Sequence, residues 1–83
     1  MTTLQGITIE KGVEFTFKSN GETHTATIVQ LKEKTFVGTY LEVRKINNVL
    51  RCEDRLIEFR YSGKKIHYRY THSEVIEVRG VIS

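Results

Sequence analysis

Hydrophobic and polar residues alternate along residues 13–18, which read Val-Glu-Phe-Thr-Phe-Lys. Asn20 and Gly21 follow, and both residue types tolerate the positive φ angles of a tight hairpin turn. A two-residue loop at this point sorts the flanking residues by polarity. It pairs Val13 with Ile28, Phe15 with Ala26, and Phe17 with His24. One face is then mostly apolar, and the pattern predicts a β-hairpin.

A second alternating stretch covers residues 56–70 and is centred on Ser62 and Gly63. A two-residue loop there pairs Phe59 with Ile66 and Ile57 with Tyr68 on an apolar face. The other face then carries the pairs Arg60 with Lys65 and Glu58 with His67. A three-residue loop with a bulge would break this sorting, so we predict the two-residue loop.

The sequence pattern in the rest of the chain predicts short strands and no helix. Residues 35–44 alternate as one strand with a bend at Gly38, Asn47 and Asn48 interrupt the pattern, and residues 49–52 begin another short strand. Thr71-His72-Ser73 reads as a turn or a single helical turn before a closing strand over residues 75–79. We therefore expect one all-β domain over residues 1–83. It is a five- to six-stranded antiparallel barrel over about residues 10–80, or a two-layer sheet, of SH3-like type.

The order of these elements resembles the small β-barrels of the Tudor, KOW and Sm-like type. The resemblance rests on a Lys11-Gly12 lead-in, a hairpin, a middle strand, a second hairpin, and Thr71-His72-Ser73 leading into a final strand. The resemblance extends over roughly residues 10–80. It consists of the order of the strands and includes no family motif. It implies a barrel of a kind that commonly binds nucleic acid or peptides and is rarely a catalyst by itself.

The basic charge of the protein is concentrated in residues 60–70. The 83-residue chain has 13 Lys and Arg against 10 Asp and Glu, and this segment holds four of the basic residues, a histidine and three tyrosines without an acid. The remainder is close to neutral. Basic residues interleaved with aromatic rings favour binding to the backbone of DNA or RNA. The predicted contact residues are Arg60, Tyr61, Lys64, Lys65, His67 and Arg69.

Two other functions fit the same residues. An adaptor or inhibitor, of the kind found among accessory proteins of bacteria and phages, would dock its basic hairpin on an acidic protein surface. A small ribonuclease would use Glu58 and His67, which the predicted register places opposite each other, as acid and base. A carboxylate facing an imidazole across strands is more often a surface ion pair. We therefore expect a non-catalytic protein.

The sequence indicates no cofactor, metal or membrane. The single Cys52 and the histidines lack the spacing of a metal site, and the glycines are spread as turn residues rather than grouped in a phosphate loop. The first residues do not form a signal peptide, and no run of about 20 apolar residues is present. We expect a cytoplasmic protein.

Overall fold

Seven strands make up the fold in the computed structural model, which describes residues 2–19, 21–66 and 73–80. The strands are β1 (Thr3–Leu4), β2 (Ile7–Thr8), β3 (Glu14–Ser19), β4 (Glu22–Leu31), β5 (Thr35–Ile46), β6 (Val49–Arg60) and β7 (Val75–Arg79). β1 and β2 form a two-stranded sheet. The others form an antiparallel sheet in the order β6-β5-β4-β3-β7. The all-β prediction is confirmed, and the closing strand has the predicted bounds.

The first predicted hairpin is confirmed in position and register. In β3 and β4, Phe15 lies opposite Ala26 and Phe17 opposite His24, while Gly21 in the turn has a φ of 82°. The inward-facing Phe15, Phe17, Ala26 and Ile28 are buried and His24 is half-buried, so this hairpin supplies much of the core.

Four phenylalanines form the centre of the core: Phe15, Phe17, Phe36 and Phe59, all with no exposed surface. The ring of Phe15 meets those of Phe36 and Phe59 edge-on at centroid distances of 5.3 Å. Gly38 in β5 leaves room for the edge of Phe15, because a Cβ built on Gly38 would lie 2.6 Å from Phe15 Cε1. The glycine serves close packing in the middle of a strand.

The longest feature of the fold is a hairpin of β5 and β6, each 12 residues long. Its turn is formed by Asn47 and Asn48, with φ angles of 51° and 64°. The pairing of β4 with β5 ends at Thr39, and in the described pairings residues 40–46 and 49–55 pair only with each other. We call residues 39–56 the arm. The prediction of a short strand over residues 49–52 was therefore wrong, because this segment is the first third of β6.

The second predicted hairpin exists, but its register differs by one residue. Phe59 lies opposite Lys65, and the Ile66 amide donates to the Glu58 carbonyl at 3.0 Å. The loop has three residues, 61–63, and its last residue, Gly63, has a φ of 90°. This is the three-residue loop with a bulge, which we did not predict. The shift of one residue turns each side chain of the returning strand to the opposite face of the sheet. The predicted pairs of Arg60 with Lys65 and Phe59 with Ile66 are wrong.

Residues 64–66 lie between the two edge strands of the sheet. On one side they pair with the end of β6 through Phe59 and Lys65, and on the other Lys64 lies opposite Glu74. The Lys65 amide donates to the Ser73 carbonyl at 3.0 Å, and the Val75 amide to the Gly63 carbonyl at 2.9 Å. The strand ladders of the described residues form an open sheet, without a closed barrel among them.

The β1–β2 hairpin, which the sequence analysis did not predict, is attached to β7 through one side chain. The Gln5 amide nitrogen donates to the Ile76 carbonyl at 3.0 Å, and its amide oxygen accepts from the Val78 amide at 3.0 Å. Gln5 thus pairs with β7 much as a neighbouring strand would. It covers part of an edge that would otherwise present unpaired backbone groups.

No helix in the parts of the chain that the structure describes is long and apolar enough to cross a membrane.

Candidate functional site

The structure describes four of the six predicted nucleic-acid contacts; His67 and Arg69 lie outside the described residues. Arg60 ends β6 and is exposed. Its amide donates to the Lys64 carbonyl at 2.8 Å, so these two residues lie opposite each other across the loop. Lys64 is exposed, whereas Lys65 is half-buried opposite Phe59. The basic pair at this end of the sheet is therefore Arg60 with Lys64, rather than Arg60 with Lys65.

Tyr61 is anchored to the body of the protein. Its ring packs against Phe36 at a centroid distance of 5.8 Å, and its hydroxyl donates to the Lys32 carbonyl at 2.6 Å. The predicted stacking role required an exposed ring at the hairpin tip. The half-buried ring of Tyr61 does not meet that condition, and its contacts fix the loop instead.

Glu58 is held by neighbours other than the predicted histidine. Its Oε2 accepts from the Thr35 hydroxyl at 2.6 Å, and its Oε1 lies 3.4 Å from Lys32 Nζ. The Thr35 hydrogen bond, followed by Lys32, lowers the pKa of Glu58. Backbone pairing puts Ile66 opposite Glu58, so the predicted pair of Glu58 with His67 is wrong, and His67 itself lies outside the described residues. A carboxylate kept ionised in this way is a poor general acid.

The described residues contain no group of three or more His, Cys, Asp and Glu side chains that could hold a metal ion. Cys52 is exposed on the arm.

One face of the arm is apolar and open to solvent. Because residues opposite each other in antiparallel strands share a face, the pairs Thr39 with Leu56, Leu41 with Asp54, Val43 with Cys52, and Lys45 with Leu50 lie on one side. Four of these eight are large aliphatic residues that remain strongly exposed: Leu41 (55%), Val43 (56%), Leu50 (69%) and Leu56 (73%). We call these eight residues the apolar arm face. It continues the outer face of the sheet, away from the phenylalanine core.

The opposite face of the arm is charged, and ion pairs link several of its residues. Glu42 binds Arg44, and Arg55 lies 3.0 Å from both Glu42 Oε2 and Glu53 Oε2. The hydrogen bond from Arg44 lowers the pKa of Glu42, and the same contact raises the pKa of Arg44. At the base of this face, burial and the nearby Glu42 carboxylate raise the pKa of Tyr40. The two faces of the arm therefore differ sharply in chemistry.

The apolar arm face was not among the predicted sites. The alternation of Leu41 and Val43 with Glu42 and Arg44 was visible in the sequence. The same alternation is typical of a strand with one buried face, so it did not indicate that the apolar side is open to solvent.

Comparison with known proteins found no matching family model, no matching curated protein and no matching solved structure.

Proposed function

We propose that this protein is a non-catalytic binding module that contacts another protein through the apolar arm face. The observation that carries the proposal is the exposure of four large aliphatic side chains, each more than half exposed, on one side of a projecting hairpin. Exposed apolar patches larger than a few hundred Å² are rare on monomeric soluble proteins and mark interaction sites.

The structure of the arm supports this function energetically. A two-stranded ribbon is marginally stable by itself in water, so a partner covering one face stabilises it. Burying a whole Leu or Val side chain is worth about 1.5–3 kcal/mol, and these four retain more than half of that. They would contribute about 4–8 kcal/mol from one side of an interface, before the cost of association is subtracted. That magnitude suits a reversible complex.

A pair of double variants tests the proposal. Leu41→Ser with Leu50→Ser removes the apolar arm face, whereas Ile46→Ser with Val49→Ser removes a comparably exposed apolar pair from the charged side near the tip. Tagged wild-type protein and both variants are used for quantitative affinity enrichment from the source cells after nuclease treatment. We expect partners that bind the wild type and the second variant and are lost with the first. Equal enrichment by all three folded proteins would refute the proposal.

A second candidate function, binding to the phosphates of DNA or RNA, is favoured by the pairing of Arg60 with Lys64. Like charges directly opposite on adjacent strands cost a few tenths of a kcal/mol. Glu74, opposite Lys64 on the other side, offsets part of this repulsion, and a bound phosphate would relieve the rest. In this proposal Lys65, His67 and Arg69 extend the contact and Tyr61 holds the loop. Such binding would be independent of sequence and sensitive to salt.

Titration of single- and double-stranded DNA and RNA at low salt tests this second candidate. Arg60→Glu with Lys64→Glu should abolish binding, whereas Lys11→Glu with Lys18→Glu, which makes the same charge change on exposed residues elsewhere, should retain most of it. Absence of wild-type binding at low salt, or equal loss in both variants, would exclude a site at Arg60 and Lys64.

We also propose that the sheet curls into an SH3-like barrel in the cytoplasm. The support for the barrel is the position of residues 64–66, which hydrogen-bond to both edge strands or their extensions. Slow hydrogen exchange at the Lys65 amide would agree with a closed arrangement, and exchange at the rate of a free loop would contradict it. The support for the compartment is the single exposed thiol of Cys52, which stays reduced there.

A further inference from the structure

We propose that the apolar arm face binds the same face of a second copy of this chain, with the two arms packed face to face and antiparallel. This inference rests on the proposed function, because it names the partner of that surface.

Four rows of residues define the surface from the base of the arm to its tip: Thr39/Leu56, Leu41/Asp54, Val43/Cys52 and Lys45/Leu50. The face carries two charged residues of opposite sign, Lys45 and Asp54. They lie one row to either side of the Val43/Cys52 row, and on different strands. The charges are thus arranged symmetrically about the centre of the face, while their signs are opposite.

This arrangement is complementary to itself. A two-fold axis across the strands at the Val43/Cys52 row places the Lys45/Leu50 row of one copy over the Leu41/Asp54 row of the other. Lys45 then lies directly over Leu41 of the second copy and diagonally across from Asp54. Leu50 lies directly over Asp54 and diagonally across from Leu41. Each contact forms twice, as a two-fold interface requires. With parallel arms, Lys45 and Asp54 would be two rows apart, roughly 13 Å along the strands.

The shape of the molecule fits the same arrangement. The tip of one arm falls over the Thr39/Leu56 row at the base of the other. A cavity of about 470 Å³ opens at that base, and its lining combines apolar residues such as Val37 and Leu56 with the charged residues Lys32, Glu58 and Lys65. It offers space for the turn formed by Asn47 and Asn48 of the second copy.

The size of the face sets the expected strength of the dimer. Four rows on two strands bury on the order of 500 Å² per copy, or 1,000 Å² in total, which is the lower limit for a specific interface. We therefore expect a monomer–dimer equilibrium in the micromolar range rather than a permanent dimer.

Sedimentation velocity of the full chain from about 1 μM to about 500 μM measures this equilibrium. The wild type and Ile46→Ser with Val49→Ser should dimerise, and Leu41→Ser with Leu50→Ser should stay monomeric. Lys45→Asp should weaken the dimer about tenfold, and adding Asp54→Lys should restore it to within about threefold, because the exchange re-forms the pairs between copies. A double exchange no better than Lys45→Asp alone would overturn the proposed packing.

Cys52 provides an independent measurement without further mutation, since it is the single cysteine of the chain. The antiparallel axis places the two Cys52 residues opposite each other across packed sheets about 10 Å apart, which is too far for a direct disulfide and suitable for a short bismaleimide cross-linker. The linker should give covalent dimers with the wild type and not with Leu41→Ser and Leu50→Ser. Absence of wild-type cross-linking at concentrations where the dimer forms would refute this geometry.

The outcomes separate this inference from the proposed function. A wild type that stays monomeric at every concentration overturns the dimer. If Leu41→Ser with Leu50→Ser still loses partners in the enrichment experiment, the apolar arm face remains a protein-binding site. If the wild type is monomeric at every concentration and that variant also loses no partner in the enrichment experiment, both proposals fail.

Discussion

Replacing Gly38 by alanine tests the packing on which the whole sheet depends. A Cβ at this position would lie 2.6 and 2.7 Å from Cε1 and Cζ of Phe15, and 3.2 Å from the Cβ of Ala26. The Phe15 ring cannot move aside easily, because it is fully buried and the rings of Phe36 and Phe59 meet it at 5.3 Å. The added methyl group must therefore displace backbone or distort the core.

Two opposing terms set the magnitude. Overpacking a core costs about 1–3 kcal/mol, whereas replacing glycine by alanine within a strand returns about 0.5–1 kcal/mol of chain entropy. The steric cost is larger, and the net loss is about 1–2 kcal/mol. For a domain of this size, that loss lowers Tm by about 5–15 °C.

Thermal unfolding followed by circular dichroism measures the effect. Gly80→Ala is the control, because a Cβ at Gly80 meets nothing within 4 Å, and its Tm should stay within about 2 °C of the wild type. Phe15→Leu provides a double-mutant cycle. If the clash with Phe15 is the cause, the combined variant is more stable than the sum of the two single losses predicts. A Gly38→Ala protein that melts with the wild type, or strictly additive effects, would refute the packing argument.

Three further predictions concern other parts of the sheet. Glu58→Gln should lower Tm by about 2–5 °C at pH 7. Because the folded-state pKa of Glu58 lies below its ordinary value of 4.5, the difference should persist above pH 4.5 and shrink as the pH falls through the folded value; a difference independent of pH would contradict this. Gln5→Ala should cost about 1–2 kcal/mol by removing two hydrogen bonds to β7, and it should speed hydrogen exchange at Val78; unchanged exchange there would argue against the contact. Asn48→Gly should raise Tm by a few degrees, because glycine adopts a φ of 64° without strain, and a lower Tm would count against the observed turn.

The first hairpin was predictable because its information is local. Asn20 and Gly21 set the loop length, and the alternation on both sides then places Phe15 opposite Ala26, as observed. For the second hairpin, local information was not sufficient to predict the loop length. Ser62 and Gly63 fit a two-residue loop equally well, but Gly63 instead closes a three-residue loop. Contacts from distant parts of the chain hold the observed loop, such as the hydrogen bond from Tyr61 to the Lys32 carbonyl, and the local sequence pattern does not contain them.

The arm was missed for a different physical reason. The alternation of Leu41 with Glu42 gives the periodicity of a strand but does not tell whether the apolar side meets a core or water. Asn47 and Asn48 were read as a break in the pattern, although both residues adopt positive φ and join β5 to β6. The candidate site was therefore identified from the exposure of its side chains in the folded protein. The sequence pattern does not contain this information.

The strand order of the sheet also has a consequence for how the chain reaches its folded state. Three of the four pairings in the five-stranded sheet join consecutive strands, and the fourth brings β7 back to β3, with Glu14 opposite Arg79. The consecutive pairings close short loops, whereas the last must close a loop of more than 60 residues and carries the larger entropic cost. The meander of β3 to β6 can therefore form before the chain ends meet, and we expect the docking of β7 against β3 to be the late, slow step of folding.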